Sequence, residues 1–203
     1  MLIIQGVLMP GAGDGQSGWP FLQVTEYGKK CLEAEELLPH DPDRFLDEFK
    51  KQVPRADPVI TEYLTEALQC FLRGLNRAAA VMLGGASEKA ILLLIEGYGE
   101  AIADSGLQQT FRRKIAKATT VFRKYEEFEK RFAQPKIAPG LRENVDSLLH
   151  GIFDLIRNSR NEAGHPASGV VVDRDVVYSH LRLFVPYAAR VYALIDWFAQ
   201  NPV

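Results

Sequence analysis

The feature that most constrains this chain is the stretch 77–98, in which Ala78-Ala-Ala-Val-Met-Leu-Gly-Gly-Ala-Ser-Glu-Lys-Ala-Ile-Leu-Leu-Leu-Ile95 contains one acid–base pair, Glu88-Lys89, and little else that is polar. A helix that is apolar or small around nearly all its faces is stable in water only when other helices cover it. The stretch therefore predicts a central buried helix inside an all-α bundle. Gly84 and Gly85 each cost about 1 kcal/mol relative to Ala in a helix interior, a cost that makes sense where a neighbouring helix packs very close.

The flanking sequence supplies the partners. Asp57 or Pro58 starts a helix that stops near Gly74, with apolar positions Val59, Tyr63, Leu64, Ala67, Leu68, Phe71 and Leu72 at three- and four-residue spacing. Asn76 is the predicted N-cap of the central helix. A third helix is expected over 107–132, with an inner stripe of Phe111, Ile115, Ala118, Val121, Phe122, Tyr125 and Phe128. A fourth spans about 141–163, burying Val145, Leu148, Leu149, Ile152, Phe153 and Ile156, and Gly164-His-Pro166 stops it. Asp173 caps a last helix running to Gln200, whose stripe is Val176, Val177, Leu181, Phe184, Tyr187, Ala188, Val191, Ile195 and Phe198, with a kink point at Pro186. The expected architecture is thus about five bundled helices over 57–203, with no internal repeat or heptad run.

Before the bundle come two smaller units. Residues 39–56 carry the turn signals Pro39-His-Asp-Pro42 and Pro54-Arg-Ala-Asp-Pro58 around an amphipathic helix at 43–52, and read as a linker or bracing arm. Residues 1–38 hold an apolar run at 2–9, a Gly-rich turn, a strand-like stretch at 19–25, and a short helix opened by Thr25. This order resembles the back half of a winged-helix domain. Leu2-Ile-Ile-Gln-Gly-Val-Leu8 looks like the tail of a recognition helix, and Trp19-Pro-Phe-Leu-Gln-Val-Thr-Glu-Tyr-Gly28 like the returning wing. Without the preceding helices no major-groove reader is present, so DNA binding is not expected.

Composition narrows the class. With 203 residues, 47% hydrophobic and 25% charged, the chain is an ordinary globular one. The apolar N-terminal run has no basic flank and is too short to span a bilayer, so a cytoplasmic protein with no membrane partner is expected. Cys31 and Cys70 stand alone, and no Gly-rich phosphate loop, Ser/His/Asp order or zinc-type His-Glu pair occurs, so no cofactor or metal is expected. Net charge is −2, which rules out a global pull toward polyanions. Residues 107–137 nevertheless carry nine basic side chains and three acidic ones. Such a run is commonly a solvated face; along a cleft it would track an RNA backbone.

The chemistry concentrates in Arg157-Asn-Ser-Arg-Asn-Glu-Ala-Gly-His165. Gly164 and Pro166 end the helix around His165, which frees the imidazole to swing back beside the last turn. Asn158 and Asn161 precede it by seven and four residues, on its own side of the helix. Arg157 and Arg160, three apart, place two guanidiniums close by. One titratable base, two phosphate binders and two amides suit RNA cleavage without a metal, which needs a base for the 2′-OH, a cation for the phosphoryl oxygens and an acid for the 5′ oxygen. One His cannot easily perform both proton transfers, so a symmetric dimer bringing two such segments together is expected.

Arg160-Asn-Glu-Ala-Gly-His165 resembles the Arg, polar residue, spacer, His signature of the HEPN family (higher eukaryotes and prokaryotes nucleotide-binding), and Ala79-Ala-Val-Met-Leu-Gly-Gly-Ala-Ser-Glu-Lys-Ala-Ile-Leu-Leu94 looks like the buried helix of a subgroup associated with restriction and defence systems. The resemblance implies an all-α HEPN-like bundle and metal-independent endoribonuclease activity at a homodimer interface. In that scheme Arg160 is the phosphate ligand, Asn161 its polar partner and His165 the acid or base, and an antitoxin or restriction-system partner is implied. Many members are non-catalytic nucleotide-binding or interaction modules, and that alternative stays open. Glu88 either pairs with Arg157 or Arg160 and orients it, or sits at a helix edge in solvent. Arg160 and His165 also admit a purely structural role, neutralising the carbonyl end of their helix. His40, His150 and His180 have no ligand-spaced partners and read as surface or capping residues.

Overall fold

Leu8–Pro10 and Leu22–Val24 form an antiparallel pair, β1 and β2, with Leu8 opposite Val24 and Pro10 opposite Leu22. The computed structural model describes residues 8–11, 21–25, 29, 42–132, 149–165 and 171–203, so the remainder of the N-terminal segment and residues 141–148 of the fourth helix lie outside the described residues. Leu8 is extended rather than the tail of a helix, because it is zipped to the returning strand.

Seven helices follow among the described residues: α1 (Pro42–Gln52), α2 (Pro58–Leu72), α3 (Asn76–Ala101), α4 (Ser105–Lys117), α5 (Val121–Phe132), α6 (His150–Gly164) and α7 (Arg174–Gln200). The starts obey local chemistry. Asp57 accepts a hydrogen bond from the Val59 N–H at 2.8 Å with Pro58 in the first turn, and Asp173 accepts from the Asp175 N–H at 2.7 Å. Each satisfies a donor that a helix N-terminus otherwise leaves orphaned. Asp57 also pairs with Lys89 at 3.3 Å, which ties the start of α2 to the middle of α3.

α3 is the axle. Ala79, Ala80, Leu83, Ala86, Ala90, Ile91, Leu94 and Ile95 are all buried, and α2, α6 and α7 pack along it. It is long and apolar enough by length and composition to cross a membrane, but these three helices cover it. The two glycines mark where the cover comes closest. A Cβ on Gly84 would lie 2.6 Å from the Arg160 Cβ of α6, and one on Gly85 would lie 2.7 Å from the Tyr63 ring of α2. α1 is more than a tether, since Phe45 and Phe49 are fully buried and Phe49 stacks 5.9 Å from Phe184 of α7.

Four expectations need correction. The helix expected over 107–132 is two: the chain breaks at Ala118, whose ψ of 119° is extended, and restarts behind Thr120, whose hydroxyl accepts from the Arg123 N–H at 3.2 Å. The break lets both halves reach one ring. Tyr98 of α3 meets Phe111 of α4 and Phe128 of α5 edge-on at 5.3 Å each, and Phe198 of α7 at 5.2 Å. Asn76 does not cap α3; it lies inside the helix, and its amide donates to the Val172 carbonyl at 3.4 Å, which anchors the start of α3 to the lead-in of α7. Val176 is exposed, as are Val59 and Tyr63, because a neighbouring residue in each helix faces the core instead: Val177 in α7, Ile60 and Leu64 in α2. His180 is no surface residue: it is 5% exposed, and burial lowers its pKa by penalising the charged ring.

Candidate functional site

The last turns of α6 carry the segment 157–165, and α3 runs antiparallel beside it. The direction follows from two contacts: Arg77, in the first turn of α3, donates to the Ala163 carbonyl near the end of α6 at 2.9 Å, while Gly84 faces Arg160 one turn earlier in α6. Arg77 thus takes one of the carbonyls that a helix C-terminus leaves orphaned and places a cation at the negative end of the dipole. Sequence reasoning gave that role to Arg160 or His165 and overlooked Arg77. Its signal was available, as a lone cation at the head of an otherwise apolar helix.

Arg160 lies along the missing side chain of Gly84. Its guanidinium then has two partners: Nη1 donates to the Asn161 Oδ1 at 3.1 Å, and Nη2 stands 3.8 Å from the Glu88 carboxylate. Glu88 sits one helical turn beyond Gly84, so the seat and the carboxylate belong to one face of α3. The Arg160 side chain is still 41% exposed. Of the two options for Glu88, the pair with Arg160 is the one formed, and the Glu88 side chain is 24% exposed.

Arg157 does not stand beside Arg160. It turns to the other neighbour of α6, where its Nε is 3.3 Å from Asp154 and its guanidinium lies 4.0 Å over the Phe122 ring of α5. The cation–π contact draws it toward α5, while the ion pair with Asp154 holds it along α6. Asn158 is exposed. His165 closes α6 as its C-cap, with φ −89° and ψ 114°, and is exposed. Its extended backbone is what the following proline demands. The structure thus seats Arg160, Asn161 and Glu88 together, places His165 at the open end of the same helix, and sends Arg157 elsewhere.

A second polar cluster, unforeseen in the sequence, lies one step back along α6. His150 Nδ1 is 2.8 Å from Glu129 of α5 and its Nε2 is 3.1 Å from Asp154. Glu129 also bonds Tyr125, whose hydroxyl pKa is pushed up by burial first and by that carboxylate second. His150 is therefore a bridging residue rather than a bare surface one. Its partner on α5 is 21 residues away in sequence, beyond any local spacing rule, whereas Asp154 is its i+4 neighbour on α6. Among the described residues no group of three or more His, Cys, Asp or Glu side chains has metal-ligand geometry.

Compared with known proteins, the chain matches no family model, no curated protein and no solved structure.

Proposed function

We propose that the chain is a HEPN-type, metal-independent endoribonuclease, related to toxin or defence proteins and working in the cytoplasm as a homodimer. The observation that carries this reading is the Arg160 guanidinium, bonded to Asn161 on one side, facing Glu88 on the other and still open to solvent, on the helix whose end presents His165. A fixed, part-exposed guanidinium can grip a phosphate through two N–H groups, and an imidazole is the side chain most often used to pass protons in such a reaction.

In the proposed reaction the 2′-oxygen attacks the adjacent phosphorus while its proton passes to the His165 imidazole of one copy. Arg160 holds the charge that builds on the phosphoryl oxygens. The bond from phosphorus to the 5′-oxygen breaks, and the imidazolium of the second copy gives that oxygen its proton. The products are a 2′,3′-cyclic phosphate and a free 5′-hydroxyl.

Incubation with single-stranded RNA in EDTA tests this directly. Cyclic-phosphate fragments that vanish in both His165→Ala and Arg160→Ala are the expected result, and no cleavage by the unaltered protein sinks the proposal. A chain that stays monomeric at micromolar concentration removes the second imidazole and with it the mechanism. A second reading, a non-catalytic nucleotide-binding or interaction module, is favoured by Glu88, because a carboxylate 3.8 Å from Arg160 competes with any phosphate for that cation. Glu88→Gln separates the two: it strengthens phosphate binding in either case but changes cleavage only in an enzyme. An antitoxin or restriction-system partner belongs to the first reading.

A further inference from the structure

α4 and α5 form a helical hairpin on the outside of α3, and most of its cations differ from the partnered ones found elsewhere among the described residues. Elsewhere, Lys51, Lys89, Arg157 and Arg160 hold carboxylates, and Arg77 and Arg174 hold backbone carbonyls. On the hairpin, Lys114 and Lys130 share Glu127, at 3.5 Å and 2.7 Å. Arg112, Arg113, Lys117, Arg123 and Lys124 have no ion pair among the described residues, and all but Lys124 are exposed. Five cations without an ion pair among the described residues, within 13 residues of chain in a protein of net charge −2, leave the hairpin locally positive despite Glu96 and Glu100 beside Arg112 and Lys124.

The patch has shape as well as charge. A recess of about 450 Å³ on the outer side of α4 is lined by Gln109, Thr110, Arg112, Arg113 and Ala116, with polar donors and cations and no carboxylate. Around the corner a recess of about 320 Å³ brings Lys114, Lys117 and Arg123 together with Glu126 and Glu127. Arg123 follows Phe122, the ring beneath Arg157, so the track continues toward α6.

We infer that the outer face of α4, continuing through Arg123 and Lys124, binds the phosphodiester backbone of a single-stranded nucleic acid. Under the ribonuclease reading, on which the identity of that strand rests, it is the substrate RNA. The other polyanions fit less well. A membrane surface asks for apolar side chains to insert beside the cations, yet Phe111 is turned into the core and Leu107 is the one large exposed apolar residue on the hairpin. An acidic protein asks for exposed aromatic anchors, which this face lacks. With no aromatic stacking platform, contact is with phosphates rather than bases, so binding is tolerant of sequence and steeply weakened by salt.

The test compares Arg113→Glu/Lys117→Glu with Lys50→Glu/Lys51→Glu, an equal charge change on α1, by fluorescence anisotropy with labelled single-stranded RNA and DNA oligomers in EDTA. The α4 double variant is expected to lose at least tenfold in affinity and about 1.4 in the slope of log K against log salt, at roughly 0.7 per lost phosphate contact. The α1 variant is expected to stay within twofold, and RNA and DNA to behave alike. Arg113→Gln/Lys117→Gln reports the same loss without introduced repulsion, should the reversal unfold the protein. Equal losses in both double variants, an unchanged affinity, or binding to phosphatidylserine vesicles in place of either oligomer overturns the inference. Hairpin-dependent binding without cleavage leaves this surface standing and ends the ribonuclease proposal. Cleavage with binding indifferent to the hairpin does the reverse.

Discussion

Along the α3–α6 seam and across the α4–α5 hairpin the same residue types are used to opposite ends. On the seam Arg160 lies flat over Gly84 with Glu88 and Asn161 about its head, and Arg77 caps Ala163. On the hairpin Arg112, Arg113 and Lys117 stand in water with no partner among the described residues. A cation drawn against a helix loses hydration and must be repaid by specific partners, whereas an exposed one costs nothing to leave alone. The seam thus fixes geometry, and the hairpin leaves charge available.

Widening the seam has the largest expected effect. In Gly84→Leu the new Cβ meets the Cβ of Arg160, close to the α6 backbone where no rotamer change relieves it, and the cost is about 3 kcal/mol from overpacking. Gly85→Ala meets the Tyr63 ring instead, a partly exposed side chain that can swing aside, so the strain is offset by better helix propensity and the net change stays within about 1 kcal/mol. Urea unfolding of the two variants measures the contrast, and equal losses would mean that α6 is no more tightly seated than Tyr63.

The close approach at the two glycines could be read from sequence, because mid-helix glycine has a cost that only packing offsets. The carboxyl caps at Asp57 and Asp173 were equally legible, being local chemistry. The break at 118–120 was hidden because the apolar stripe resumes after it at helical spacing, and nothing in that spacing shows that Phe111 and Phe128 meet one ring, which only a broken helix allows. Adjacent valines at 176 and 177 made the inward face ambiguous by one residue. The site was half legible: helical spacing placed Arg157 and Arg160 on one helix and Gly164 at its end, but could not show that neighbours on opposite sides pull the two guanidiniums apart.

The interior tolerates an unpaired charge far less well than the hairpin does, and His180 reports on that by pH. Burial lowers its pKa in the folded protein, so the unfolded chain takes up a proton first as pH falls through about 6.5. The stability associated with the neutral ring is present above that pH and drains away below it, until the folded ring also titrates. His180→Leu is expected to flatten this part of the stability profile, measured by urea midpoints between pH 7.5 and 5. An unchanged slope would assign the acid sensitivity to other groups.

Next in size is the Glu88–Arg160 pair. At 3.8 Å with one member 41% exposed, it contributes about 0.5 kcal/mol, the range of partly solvated pairs. A double-mutant cycle with Glu88→Gln and Arg160→Gln isolates it. A coupling near zero would make Glu88 a bystander and leave Gly84 alone to seat the arginine.

The smallest effect has the opposite sign. Arg113 and Lys117 are four apart on α4, like charges on one helical face, and such pairs destabilise by about 0.2–0.5 kcal/mol. Lys117, in the last turn of α4, is also favoured by the helix dipole, so Arg113 is the residue whose removal relieves repulsion at least cost. Arg113→Gln is therefore expected to raise the urea midpoint slightly at low salt and to leave it unchanged at high salt, where screening has already removed the repulsion. A protein that keeps a repulsive pair on its surface gains nothing for its own stability from it. If Arg113→Gln instead costs more than about 1 kcal/mol, the side chain is structural after all, and the contrast between committed and available charge fails on the hairpin side.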